Sequence, residues 1–209
     1  VCTIVRRHPC EVMVSDIFDV YNATEHLLFE EPTCITWVGG LPLPECVRLF
    51  GGDPLRTREA DFQDIYEGGY DLDPDDPSDG AILLDQQGDW VVVVEPTSYR
   101  GISSALLKRL SVNGAALSVS WTVNVDAYVK WAEHGHVLYI FDPLALDIMN
   151  PEMAEVGWVV DQGVDLDAWD QNWLAATLTL AEKITSVRLD PAWMERPHVG
   201  VTVGPMPSA

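Results

Sequence analysis

The 209 residues carry 12 Lys and Arg against 33 Asp and Glu, a formal charge of −21, while 47% of them are apolar. A chain this apolar buries a core rather than staying disordered, and a surface this acidic repels nucleic acid and anionic membranes. A basic protein is the partner that fits.

The start, VCTIVRRHPC, lacks the apolar run of a signal peptide, and no stretch approaches the ~20 apolar residues of a membrane span. The expectation is a cytoplasmic protein with Cys2, Cys10, Cys34 and Cys46 reduced. Val1 opens the chain and Met13 follows, so residues 1–14 read as a dispensable arm before one domain over 15–209.

From Ser15, SDIFDVYNATEHLLFEE reads as a helix. Ser15 caps it, Asp16 and Asp19 sit in the first turn, and Ile17, Val20, Tyr21, Thr24, Leu27 and Leu28 share a face. Pro32 ends it. TCITWV (33–38) is a β-branched, aromatic strand closed by Gly39 and Gly40. LPLPECVRLFGG is a short helix with Pro44 in its first turn, and TREADFQDIYEGG another, capped by Thr57 and stopped by Gly68.

The acidic segment 70–80, YDLDPDDPSDG, divides this helical front from a strand-rich middle. AILL (81–84) and WVVVVEP (90–96) are strands joined by a turn at Gly88, the second apolar enough to be covered on both faces. SSALLKRL follows as a helix capped by Ser103. In SVSWTVNV, Val119, Trp121, Val123 and Val125 alternate with Ser118, Ser120, Thr122 and Asn124, predicting a strand with one buried and one polar face. AYVKWAE and VLYIFDP flank a hairpin turn at His134-Gly135-His136. A last helix is predicted from about Asp167 to Ser186, with Trp169, Trp173, Ala176, Leu180 and Ile184 on one stripe. Asp190-Pro191 and Arg196-Pro197 then break the chain into a short end. The whole is α+β, a mostly antiparallel sheet of about five to seven strands with flanking helices.

GDWVVVVEPTSYRG and VKWAEHGHVLYIFDP carry a likeness to a known family. Through Gly88, Trp90, Glu95, Pro96, Gly101, Trp131, Asp142 and Pro143 the chain resembles an uncharacterised family of bacterial proteins, a domain of unknown function common in actinobacteria. Thr36-Trp37-Val38-Gly39-Gly40 and Leu49-Phe50-Gly51-Gly52 fit the same style. The resemblance spans about residues 15–150 and implies no activity; physically these positions are scaffold.

Motifs for chemistry yield to simpler readings. Asp71, Asp73 and Asp75 sit at EF-hand positions, but Asp76 stands where Gly is required and Ile82 where Glu is, so a solvated loop is expected. Gly101-Ile102-Ser103 lies too far from its strand for a nucleophile elbow, and Ser103 serves as a helix cap. His134 and His136, with Glu133 nearby, project from a hairpin. Cys2, His8 and Cys10 lack the paired spacing of a zinc site. No metal or cofactor is expected. Glu95 and Asp142 each end a strand, and side by side at the sheet rim they would form an acid–base pair; capping a turn, or pairing with Arg100 or Lys130, is the plainer role. Trp158 and Trp193 read as the exposed tryptophans, Trp90 and Trp121 as core.

The function expected is that of a non-enzymatic acidic protein, immunity- or antitoxin-like, binding a basic protein partner. Its contacts would be Asp71, Asp73, Asp75, Asp76 and Asp79, with Asp161, Asp165, Asp167 and Asp170 as a second patch. The alternatives are an enzyme using carboxylates at the sheet rim and a structural subunit of a larger phage-like or defence assembly.

Overall fold

A computed structural model of the chain describes residues 16–28, 33–70, 80–96, 98–124, 126–150 and 152–206. The expected N-terminal arm and the acidic loop at Asp71, Asp73, Asp75, Asp76 and Asp79 lie outside the described residues. Val-rich and aromatic runs form the strands β1 (Thr33–Gly39), β2 (Arg58–Ala60), β3 (Gly80–Gln87), β4 (Trp90–Glu95), β5 (Ala115–Trp121), β6 (Ala127–Glu133), β7 (His136–Phe141) and β8 (His198–Val203). They make one antiparallel sheet in the order β2-β8-β3-β4-β1-β5-β6-β7. The class is α+β, as the sequence predicts, with eight strands rather than five to seven.

The sheet is clothed on both sides. The helices α1 (Ile17–Leu28), α3 (Phe62–Tyr70), α5 (Ala154–Asp161), α6 (Leu166–Gln171), α7 (Trp173–Thr185) and α8 (Pro191–Glu195) pack on one face around Ile35, Trp37, Leu83, Val92, Val94 and Leu117. The helices α2 (Leu43–Leu49) and α4 (Ser104–Leu110) cover the other around Ile82, Leu84, Val91 and Val93. Successive side chains of a strand point to opposite faces, so the valines 91–94 are divided between two cores. That is why β4 reads as an unbroken apolar run.

Five expectations need correction. The stretch around Thr57 is not one helix: Arg58–Ala60 pairs with β8 as an edge strand, and α3 begins at Phe62. The predicted last helix is two, because Asn172 breaks it. Its side-chain oxygen caps α7 by accepting from Ala175 N (3.1 Å), while its amide donates to Asn22 (3.0 Å) and Glu25 (3.1 Å) of α1. The supposed short end is β8, inserted between β2 and β3. Trp158 and Trp193 are buried, the former among Trp131, Tyr139 and Phe141. Trp121 is core as predicted, whereas Trp90 is half-buried and lies over Gly39.

Serine alternation in β5 also has a different cause from the one expected. Ser118 and Ser120 do not meet water; both are buried. Near a 3-10 turn at Arg100–Ile102, Ser118 joins Cys34, Thr36 and Glu95 in a buried polar cluster, and Ser120 is paired opposite Cys34. Thr122 and Val123 leave the strand altogether, and Val123 is exposed.

Candidate functional site

The second predicted acidic patch lies on the helical face. Asp161 ends α5, Asp165 caps α6 by accepting from Asp167 N (3.1 Å), and Asp167 and Asp170 follow within α6. All four are exposed. They are raised there because the buried face of α6 is fixed by Trp169, whose indole N–H donates to Pro143 O (2.9 Å). With the indole anchored inward, the carboxylates on the rest of the short helix face water.

Asp165 and Asp167 also line a cleft of about 280 Å³ whose far wall is α1, contributing Asp16, Phe18 and Asp19. The sequence marked Asp16 and Asp19 only as first-turn residues of a helix, which suits the positive end of its dipole. Their convergence with α6 depends on α1 packing against α7, which no local pattern announces. Among the described lining residues Lys183 is the single cation, set against four carboxylates. Such a cleft concentrates negative potential between low-dielectric walls, attracts cationic side chains and rejects phosphate.

Glu95 and Asp142 do not meet. β4 and β7 stand four strand steps apart, or about 19 Å at ~4.8 Å per step. Asp142 closes a turn by accepting from Leu144 N (2.9 Å). Glu95 is wholly buried and accepts from Ser98 Oγ (2.7 Å), Arg100 N (2.8 Å) and Gly101 N (2.8 Å). Burial pushes its carboxyl above the usual range, and those three donors only partly oppose the shift. The Arg100 guanidinium turns away to the carbonyls of Phe50 (2.8 Å) and Gly204 (2.5 Å). Lys130 donates to Ile102 O (2.5 Å). The arrangement locks a turn; it presents no acid–base pair to a substrate. Ser103 caps α4 by accepting from Leu106 N (3.4 Å), as the sequence indicates. His134 and His136 are exposed at the β6–β7 hairpin.

One polar constellation went unseen in the sequence. Asp85 on β3 accepts from the indole of Trp193 (2.9 Å), Arg196 (3.0 Å) and Gln87 (3.0 Å), with His198 Nδ1 at 3.6 Å. His198 Nε2 lies 2.7 Å from Trp193 O, so that nitrogen carries the hydrogen and donates to the carbonyl. Burial favours the neutral acid at Asp85, but its polar neighbours His198, Trp193 and Gln87 outweigh it and hold the group down at about 2. These bonds tie α8 and β8 to the sheet. An Asp directly after an apolar run was the only signal in the sequence.

The family model that matches the chain is described as a family of unknown function, DUF6461, and it covers residues 21–208. The chain belongs to this family. The match runs well past residue 150, where the motif resemblance ended, and takes in α5 to α8 and β8. The family region therefore includes the Asp85 constellation and the α6 side of the acidic cleft, whereas Asp16, Phe18 and Asp19 lie before it. No curated protein and no solved structure matches the chain. Among the described residues no helix is long and apolar enough to cross a membrane, and no group of three or more His, Cys, Asp or Glu is placed to hold a metal ion.

Proposed function

We propose that this protein is a non-enzymatic interaction module that docks a basic protein partner on the acidic helical face. The observation carrying the proposal is the cleft between α1 and α6, where Asp16, Asp19, Asp165 and Asp167 converge, with Asp161 exposed at the end of α5 and Asp170 exposed on α6. An Arg or Lys side chain of the partner enters that cleft, and the overall charge of −21 accelerates the encounter. An immunity-like role is one concrete form, in which the carboxylates occupy positions that nucleic-acid phosphates would take on a cationic nuclease. The acidic residues Asp71, Asp73, Asp75, Asp76 and Asp79 add to the overall negative charge. Cys34 and Cys46, buried as free thiols, suit the cytoplasm.

Capture of partners from native lysate at low and high salt tests the proposal. The expected result is a basic protein retained at low salt and released at high salt. Retention of partners that are neutral or acidic, unaffected by salt, would overturn it.

A further inference from the structure

The two edges of the sheet are treated differently. β2 is three residues long and carries the exposed charges Arg58 and Glu59, the usual protection against strand pairing. β7 is six residues long and contains no Pro, Asp, Glu, Lys or Arg. Its Leu138 and Ile140 are 50% and 49% exposed, and Tyr128 on the neighbouring β6 is 42% exposed. The β6–β7 register slips between Trp131 and Ala132, making Leu138 the extra residue of a bulge. A bulge often blunts an edge, but here it leaves both aliphatic side chains in water.

We propose that β7 is a self-association edge, at which two copies of this chain pair β7 to β7 in antiparallel fashion about Tyr139. Three observations favour a second copy over another occupant. First, the strand is self-complementary. Pairing about Tyr139 sets Leu138 opposite Ile140 of the other copy, and His136 opposite its Asp142, each contact occurring twice as a two-fold axis requires. Second, residues 134–141 carry no acid, and α4 brings Lys108 and Arg109 beside β7. A strand without acids lessens the repulsion that a chain of charge −21 meets in pairing with its own copy, and offers a basic partner little to bind. Third, the product is one continuous sheet of twice eight strands whose outer edges are the protected β2 strands.

The dimer edge is separate from the acidic cleft, and salt tells them apart. Apolar and backbone pairing between like-charged copies strengthens as salt screens their repulsion, whereas docking of a basic partner weakens. The test is mass in solution, by sedimentation of the full chain at low and high salt. The expected result is a shift from 23.2 kDa toward twice that value, more complete at high salt, and abolished in Leu138→Lys/Ile140→Lys. Register is read by oxidation in a Cys2→Ser/Cys10→Ser background. Leu138→Cys mixed with Ile140→Cys should cross-link rapidly, because opposed positions lie ~5 Å apart, and each variant alone slowly. A wild-type monomer at both salt concentrations would overturn the proposal, as would a dimer indifferent to the double Lys variant. A monomer that instead pairs with an added extended peptide along β7 would replace the second copy as occupant.

Discussion

Asp85 and Trp193, 108 residues apart, share a 2.9 Å hydrogen bond that fastens the last helix and strand to the middle of the sheet. The indole stacks on His198 with ring centroids 4.0 Å apart, so one carboxylate organises α8, β8 and the Arg196 side chain together. The tie acts on a segment that local propensity alone leaves weakly specified.

Asp85 makes stability depend on acid. Its folded-state pKa of about 2 lies below the ordinary Asp value of ~3.9. Its contribution is therefore complete above pH ~4 and lost as pH falls toward 2. Asp85→Asn should lower stability at neutral pH by about 1.5–3 kcal/mol, the range for hydrogen bonds to a charged group. It should also flatten the acid limb between pH 4 and 2. Denaturant titrations of both proteins across that range check the two effects; an unchanged limb would show that Asp85 is not ionised in this network.

Trp193 and Trp37 offer an internal comparison. Both indoles are fully buried, but Trp193 Nε1 donates to Asp85 whereas Trp37 Nε1 has no partner among the described residues. Trp→Phe removes similar apolar surface at both positions. At residue 193 it also breaks a charge-assisted bond, and at residue 37 it relieves an orphaned donor. Trp193→Phe should be the more destabilising by about 2 kcal/mol. Equal unfolding midpoints would contradict the hydrogen-bond assignment.

Gly101 sits where a side chain cannot. A Cβ there would overlap Thr36 Oγ1 and lie 2.9 Å from Glu95 Oε1 and 3.0 Å from Cys34 Sγ. Gly101→Ala should cost about 1–3 kcal/mol by overpacking. Glu95→Ala should cost about 3 kcal/mol or more, because two backbone N–H groups and the Ser98 hydroxyl lose their acceptor in a buried site. Thermal unfolding of both variants checks this; a wild-type midpoint for Glu95→Ala would mean the turn has another anchor.

Much of the sheet was legible because β-branched runs and Gly turns are local signals. Val91 to Val94 announced a two-sided strand, and His134-Gly135, both with positive φ (47° and 80°), announced the hairpin. Failures arose where tertiary contacts override local pattern. Asn172 breaks a continuous helical stripe because α1 offers its amide two acceptors. HVGVTV looked like a tail because its pairing partners lie more than a hundred residues earlier. Alternating serines in β5 signal water only when nothing covers them, and here a 3-10 turn does. The acidic patch at Asp161, Asp165, Asp167 and Asp170 was visible as composition; its partners across the cleft, Asp16 and Asp19, required the fold.

The most direct test of the acidic face is the affinity of a captured basic partner for wild type and for Asp161→Asn/Asp165→Asn/Asp167→Asn/Asp170→Asn, at 0.05 and 0.5 M salt. Asn caps helices about as well as Asp, so the cap at residue 165 survives the change. Surface charges act across ~10 Å at 0.1 M salt and far less at higher salt. Wild type should lose affinity on the order of tenfold or more with salt, equivalent to ~1.4 kcal/mol, and the neutralised variant should show most of that loss already at low salt. An affinity unchanged by both salt and the four substitutions would contradict the account.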